Sequence, residues 1–217
     1  MSGPRAQRRG DERRIRTTCT VVERPSSRVQ RTPALSDGDA GWFESHGFRV
    51  VQSLVMLRRD TMPEGSQHHQ AVSTWSWRKL RTRRHSPMLD NVLHVDADAF
   101  PAPWNLSHGS FARACTATSD HVVLVVGDDV DGFALVGRAA QTAYLQRLAV
   151  RGDRRRRGVA RRLVQESLTW AYSRGAIELL VNTEPTNESA LALYRSLGFV
   201  VVPERLSVLE RELSETP

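Results

Sequence analysis

Lysine and cysteine are both scarce in this chain of 217 residues. Lys79 is the one lysine among 31 lysine and arginine residues, so the arginine excess is a bias of the whole sequence and singles out no individual arginine. The two cysteines, Cys19 and Cys115, lie far apart without a Cys-x-x-Cys spacing. This pattern argues against a disulfide framework or a zinc site and predicts a cytoplasmic protein without a bound metal.

Long apolar runs are also missing. No stretch of 18 apolar residues occurs, so we expect no transmembrane helix and no membrane partner. The first residues are charged but lack the apolar segment of a secretory signal. The hydrophobic share of 40% is ordinary for a globular protein, and the length suffices for one sizeable core.

The positive charge is concentrated at the start of the chain. The net charge is +7, and residues 1–31 hold nine arginines against three acids, a local net of +6. This segment lacks apolar periodicity and is predicted to be a disordered arm. A solvated tail is the simpler interpretation, and contact with nucleic acid through residues 1–31 is the less favoured alternative.

Apolar periodicity and turn residues predict an α/β layered domain over residues 74–213. Before it we expect a helix-strand segment at 32–59 and a polar linker at 60–73. Within the domain the predicted order is β-α-α-β-β-β-α-β-α-β. The strands are placed at 74–81, 121–129, 130–140, 142–150, 176–183 and 200–212, and the helices at 86–100, with Ser86 as N-cap, and at 107–118, 159–174 and 187–199.

One internal repeat is visible. The stretch "WFESHGFRVVQSLVMLRRD" aligns with "LYRSLGFVVVPERLSVLERE" at an offset of 151 residues. Phe43 aligns with Tyr194 and Gly47 with Gly198. The repeat predicts that the N-terminal segment is the truncated end of a second copy of the same fold. Because Phe43 lacks a hydroxyl, this copy is not expected to do the same chemistry.

The stretch "RRRRGVARRLV" at 154–164 fits the pattern Arg155-x-x-Gly158-x-Ala160. It follows an apolar strand and opens an amphipathic helix, whose first-turn N–H groups lack partners and favour an anion. Gly158 would let the backbone approach a phosphate closely. On this evidence alone, a pyrophosphate cradle and a basic, solvated turn both remain open.

Asn187 and Tyr194, seven residues apart at the last helix, decide between them. With "YLQRLAV", "RRRRGVARRLV" and "NESALALYRSLGF" in this order, residues 74–213 resemble the GNAT superfamily of acetyl-coenzyme A-dependent N-acetyltransferases. The resemblance implies a central mixed, twisted sheet flanked by helices. It also implies acetyl-CoA as acetyl donor and an amine acceptor on a small molecule, a protein N-terminus or a lysine.

The same resemblance assigns roles to individual residues. It implies that the pantetheine arm pairs with backbone at Leu148, Ala149 and Val150, where an N–H stabilises the oxyanion. It implies that Asn187 hydrogen-bonds the cofactor and that Tyr194 protonates the leaving thiolate. The implied phosphate-binding residues, through backbone N–H groups or arginine side chains, are Arg155, Arg156, Arg157, Gly158, Val159, Ala160 and Arg161.

The general base is less clear from the sequence. "DADAFPAPWNLSHGSF" resembles the ribosomal-protein alanine N-acetyltransferases, which carry a glutamate base twelve residues before the tyrosine. That position is Asn182 here, and an amide cannot act as a base. Glu184 is the candidate substitute. The residues of "HVDAD" at 94–98 would not converge on one helix face, so no metal site is expected there.

Two alternatives to an active acetyltransferase stay open at this stage. One is a catalytically inactive acyl-CoA-binding module, and the other is the arginine-rich nucleic-acid binder. The identity of the acceptor and the presence of a homodimer are also open.

Overall fold

The computed structural model describes residues 20–24, 27–34, 37–62, 72–77, 80 and 87–213. They belong to two compact units, one formed by residues 1–53 and 206–217 and the other by residues 54–205. The boundaries between the units fall inside two strands, β3 (Arg49–Asp60) and β9 (Val200–Leu213).

The smaller unit contains β1 (Thr20–Arg24), β2 (Ser27–Ala34) and α1 (Asp37–Ser45). β2 pairs antiparallel with β1 and with the last residues of β9, from Arg28↔Leu213 to Ala34↔Ser207. Residues 20–24 and 27–31, part of the segment for which disorder is predicted, lie in these paired strands. Their order depends on pairing with residues about 180 positions later in the chain, which no local pattern shows. Residues 1–19 of the predicted arm lie outside the described residues.

The larger unit is a mixed sheet between two helical layers. Its strands are β4 (Val72–Trp75), β5 (Asp120–Val126), β6 (Gly132–Ala139), β7 (Thr142–Val150) and β8 (Glu178–Thr183), together with the rest of β3 and the first six residues of β9. Its helices are α2 (Pro87–Ala99), α3 (His108–Thr116), α4 (Val159–Ser173) and α5 (Glu188–Ser196). The strand order is β3-β8-β7-β6-β5-β4, in which only the β7–β8 pair is parallel.

Alternating side chains of β5 reach two different cores. Val122, Leu124 and Val126 pack with α4 and α5, whereas Val123 and Val125 pack with α2 and α3. A strand covered on both faces needs the near-continuous apolar run that "HVVLVV" supplies. The predicted fold class is confirmed, and from α2 onward the helices and strands follow the predicted order.

The predicted strand at 74–81 is shorter than expected. β4 ends at Trp75, and residues 77 and 80 are helical, with the Leu80 N–H donating to the Ser76 carbonyl at 3.1 Å. Trp77 and Leu80 are three positions apart, and both pack into the core with α2 and α3. Burial of this pair overrides the strand-like alternation of the local sequence. Ser86, the predicted N-cap, and residues 63–71 of the predicted linker lie outside the described residues.

The two copies of the sequence repeat have matching local geometry. Each contains a nine-residue helix, a glycine at φ +80°, and a Phe whose N–H donates to the carbonyl five residues earlier. The glycines are Gly47 and Gly198, and the bonds are Phe48 to Phe43 (3.1 Å) and Phe199 to Tyr194 (3.0 Å). The helix bounds, 37–45 and 188–196, are offset by the same 151 residues as the sequence.

In the described part of the chain, no helix has both the length and the apolar character needed to cross a bilayer.

His121 gives the larger unit a predicted sensitivity to acid. Its Nε2 accepts the Trp77 N–H at 3.1 Å, and burial lowers the pKa of this imidazole despite the opposing effect of Asp120. The unfolded chain therefore takes up a proton first as the pH falls below about 6.5. The free energy of unfolding should decrease from that pH downward until the folded pKa is passed. His121→Gln, unlike the exposed control His94→Gln, should flatten this dependence in urea titrations. If the free energy of unfolding of His121→Gln depended on pH as it does in the wild type, His121 would not be the group responsible.

Candidate functional site

β7 and β8 pair over only part of their lengths. The parallel register runs from Thr142↔Glu178 to Leu145↔Val181. Immediately after Leu145, the pairing of β7 with β6 shifts by one residue, because Leu135 is opposite Arg147 while Val136 is opposite Leu145. Gln146 is therefore the extra residue of a β-bulge. The bulge coincides with the point where β7 separates from β8, and residues 147–150 pair with β6 alone.

The alternation of the antiparallel ladder determines which backbone groups of β7 face the open edge. The Arg151 N–H donates to the Asp131 carbonyl at 3.0 Å, so in the same register Ala149 exchanges hydrogen bonds with Phe133. The amide groups of Leu148 and Val150 then point away from β6. The Val150 carbonyl accepts from the Arg155 Nε at 3.3 Å. Of the three predicted residues, Leu148 presents its free N–H and carbonyl to the cleft.

The loop after β7 ends in a helix N-terminus that has no side-chain cap. Arg156 and Gly158 both have positive φ, +63° and +79°, and Gly158 is the N-cap of α4. A Cβ at Gly158 would meet nothing within 4 Å, so glycine is favoured there by conformation and not by space. The first backbone N–H of α4 with a helical partner is that of Arg162, which donates to Gly158 at 3.0 Å. The earlier N–H groups are available to an anion.

The arginines of the loop fall into two groups. Arg151 and Arg154 are held by Asp131 and Asp153, with their closest ion-pair contacts at 2.7 and 3.1 Å. Within residues 87–213, no carboxylate pairs with the exposed run 155–157. Their charges can therefore neutralise a multiply charged ligand beside the helix N-terminus, although the Arg155 Nε also donates to the Val150 carbonyl.

A cavity of about 730 Å³ joins the β7 edge to this loop. It brings together ten of the residues predicted from the sequence: Leu148, Ala149, Val150, Arg155, Arg156, Gly158, Val159, Ala160, Arg161 and Asn187. Sequence reasoning missed its remaining lining residues: Ala99, Phe100, Arg154, Ser189, Ala190, Ala192, Leu193 and Ser196. The spacing of the α5 residues along one helix face could have indicated most of them. Nothing local pointed to Ala99 and Phe100.

Asn187 and Arg161 both make hydrogen bonds to α5 at the cavity. The Asn187 Oδ1 caps α5 by accepting from the Ala190 N–H at 3.1 Å and from the Ser189 hydroxyl at 3.0 Å. The Asn187 oxygen is thus used within the protein, which leaves its Nδ2 amino group as the donor for a ligand. Arg161 donates to the Ser196 hydroxyl at 2.8 Å and so links the first turn of α4 to the end of α5.

Tyr194 is deeply buried and does not line the cavity, although its neighbour Leu193 does. It packs in the α4/α5 core with its ring centroid 5.6 Å from that of Phe199. Burial raises the pKa of Tyr194 to about 12. None of the residues described makes a hydrogen bond to its hydroxyl, so the phenol is protonated throughout the neutral range and its proton is not committed to another group.

Asn182 and Glu184 lie at the end of β8. Asn182 is opposite Met56 of β3 and is exposed, while Val181 and Thr183 on either side are buried. Glu184 is the first residue after the strand and is also exposed. It is not in the cavity lining. Arg157 is likewise outside the lining but lies within the loop.

The family model for the acetyltransferase (GNAT) family matches residues 89–199, just over half of the chain. The chain belongs to the GNAT acetyltransferase family. The matched residues include the β7 edge, the uncapped start of α4 and the whole of α5, so the family assignment and the cavity rest on the same part of the sequence.

Relatives of this GNAT chain cover it unevenly. A [ribosomal protein bS18]-alanine N-acetyltransferase from Salmonella typhimurium is 34% identical over 76 residues, 35% of this chain and 51% of that protein. The chain spans 37%, 61% and 51% of the length of the first three curated relatives that it matches.

Solved structures share the fold with this GNAT chain. A GNAT-family protein from Novosphingobium aromaticivorans superposes with a TM-score of 0.60 at 16% identity, covering 88% of this chain and 77% of that one. A tandem GNAT protein from the clavulanic acid biosynthesis pathway superposes with a TM-score of 0.56 at 15% identity, covering 93% and 65%.

The acidic residues of "HVDAD" make other contacts in this GNAT structure. Both Asp96 oxygens bond to Arg147, at 2.6 and 2.9 Å, and the Asp98 Oδ2 accepts the Gly152 N–H at 2.8 Å. In the ranges described, no three His, Cys, Asp or Glu side chains are grouped as a metal site. Asp98 instead fixes the turn that leads into the loop at 152–158.

Proposed function

We propose that this chain transfers the acetyl group of acetyl-CoA to an amine of a small molecule, a protein N-terminus or a lysine. The observation that carries the proposal is the continuity of the free β7 edge with an uncapped helix N-terminus, inside one cavity. An extended arm that ends in phosphates needs this pair of features: backbone groups to pair along its length, and N–H groups with positive charge at its end.

The residues present fit acetyl-CoA. The free N–H groups of residues 156–161 and the exposed arginines 155–157 suit the phosphates, and the Leu148 carbonyl suits an N–H of the pantetheine arm. The Asn187 Nδ2 is a further donor on the opposite wall. Acetyl-CoA supplies an activated thioester as the acetyl source.

Leu148 and Tyr194 provide the chemistry that amide formation requires. The Leu148 N–H would donate to the acetyl oxygen, which gains negative charge as the new N–C bond forms and loses it again when the C–S bond breaks. Tyr194 gives its phenolic proton to the departing sulfur. Because burial raises the pKa of Tyr194 to about 12, the phenol would hold this proton up to about pH 11.

The amine must lose its proton before it attacks. Asn182 cannot accept it, and we propose that Glu184 does so, directly or through water. Glu184 lies at the end of the strand that diverges from β7. Glu184→Gln should therefore lower kcat/KM by about 10²-fold, with the loss largest at low pH, where more of the amine is protonated. A pH–rate profile of the variant identical to that of the wild type would exclude this role.

The experiment that tests the function is an acetylation screen. The purified chain and acetyl-CoA are incubated with a panel of polyamines, aminoglycosides and peptides with N-terminal alanine or internal lysine, and the products are read by mass spectrometry. We expect at least one amine to gain a single acetyl group, and the amount of this product should rise in proportion to the enzyme concentration. Saturable binding of acetyl-CoA without any product would instead show an inactive acyl-CoA-binding module.

A further inference from the structure

A buried ion pair joins α2 to β7 beside the cavity. The Asp96 side chain is fully buried and that of Arg147 is 17% exposed. The Arg147 Nε donates to the Asp96 Oδ1 at 2.6 Å, and one terminal nitrogen donates to the Oδ2 at 2.9 Å. Replacing such a pair by apolar residues often leaves stability unchanged, because both charges are desolvated on burial. Stability is therefore a weak reason for its presence.

The same two side chains hold the segment that follows α2, residues 100–106, here called the 100–106 loop. Arg147 donates to the Trp104 carbonyl at 2.7 Å, and its guanidinium lies 3.4 Å from the centroid of the Phe100 ring. The Asp96 Oδ2 accepts the Leu106 N–H at 2.6 Å. The pair thus contacts the loop near its start, in its middle and at its end.

The 100–106 loop has little means of ordering itself. Its sequence is "FPAPWNL", and Pro101 and Pro103 have no N–H to donate. One internal backbone bond is present, from the Trp104 N–H to the Pro101 carbonyl at 2.9 Å. Phe100 and Leu106 pack against the core formed with α2 and α3. The ion pair adds the hydrogen bonds that tie the loop to α2 and β7.

Arg147 also has a defined place relative to the cleft. It follows the bulge at Gln146 and directly precedes Leu148. It therefore lies at the end of the open β7 edge that is farther from the loop at 155–158. Phe100, under its guanidinium, lines the cavity. The ion pair therefore connects the cofactor-side strand to the cavity wall that the loop contributes.

We propose that Asp96 and Arg147 are positioning residues that fix the 100–106 loop as the wall against which the acceptor amine is placed. This inference rests on the proposed acetyl transfer. It assigns acceptor placement to the loop and cofactor binding to the helix N-terminus, so the two steps should respond to different substitutions.

The test uses the double variant Asp96→Leu/Arg147→Met, which removes the charges together and avoids a single buried, unpaired charge. Hydrogen exchange read by mass spectrometry should show residues 100–106 exchanging at least about tenfold faster, with β5 and β6 unchanged. The KM for the acceptor should rise at least about tenfold, while the Kd for acetyl-CoA changes less than about threefold. Arg147→Lys is the second variant, because lysine keeps the charge but cannot bond the carboxylate in bidentate fashion and reach Trp104 at once.

Phe111→Leu serves as the matched control. Phe111 is fully buried in the core with α2 and α3 and takes no part in the ion pair or in its hydrogen bonds to the loop. The Phe111→Leu variant should have lower thermal stability, while the hydrogen-exchange rate of residues 100–106 and the KM for the acceptor stay unchanged. A folded double variant or Arg147→Lys with wild-type loop exchange, or with a wild-type acceptor KM, would overturn the proposal. The exchange measurement needs no substrate. It therefore tests the positioning role of Asp96 and Arg147 even if the proposed acetyl transfer is wrong.

Discussion

Replacing Gly158 by aspartate should abolish coenzyme A binding without unfolding the chain. Gly158 is the N-cap of α4 at φ +79°, with open space where a Cβ would lie. Aspartate tolerates this backbone region better than most residues and stabilises helix N-termini by charge. The new carboxylate would sit beside the N–H groups that the phosphates need and would repel them. We expect the Kd for coenzyme A to rise about 100-fold or more, equivalent to the loss of one or two charge-assisted hydrogen bonds.

Gly158→Asn is the control that separates charge from shape. Asparagine has the same size and the same tolerance of positive φ, but it carries no charge, so its effect on the Kd should be much smaller. Calorimetric titration gives the Kd, and thermal melting shows that all three proteins are folded. Equal losses in the two variants would mean that conformation, not anion repulsion, is responsible. A wild-type Kd in Gly158→Asp would show that the ligand does not use this helix N-terminus.

The second large effect is expected from Tyr194→Phe. Removing the hydroxyl should lower kcat by about 10² to 10⁴-fold while the Kd for acetyl-CoA stays within about twofold. Phenylalanine preserves the packing against Phe199, and no described residue loses a hydrogen bond, so stability should be maintained. Steady-state kinetics with the acceptor found in the screen measures the change.

The pH dependence of the wild type provides a further check on this role. Because burial raises the pKa of Tyr194 to about 12, its deprotonation should not limit the rate below about pH 11. Tyr172→Phe, at a 47% exposed tyrosine near the end of α4, is the matched control and should have wild-type kcat. If Tyr194→Phe also turned over at the wild-type rate, the acid would have to be another group.

The features that sequence predicted well are those with a local physical cause. Gly158 requires a positive φ, and the apolar stripe of α4 follows the helical period. Gly175 and Gly198 also have positive φ, each two residues after the end of a helix, α4 and α5. The repeat was visible because the same residue types meet the same turn geometry at Gly47 and Gly198.

The features that sequence missed depend on distant partners. β2 is ordered by β9, and Phe100 reaches the cavity wall under Arg147, 47 positions later in the chain. The pairing of Asp96 with Arg147, 51 positions later, leaves no local pattern in the sequence. The apolar spacing of Trp77 and Leu80 is compatible with a strand or a helical turn, and packing against the core decides for the helical turn.

The most direct test of the account is hydrogen exchange of the wild-type chain with and without acetyl-CoA. If the cleft holds the cofactor as described, protection should appear at residues 148–150, at 155–161 and at the start of α5, and it should be absent from α1. Gly158→Asp should show none of it at the same ligand concentration. Protection that omits the loop and the start of α4, or that persists unchanged in Gly158→Asp, would contradict the central claim.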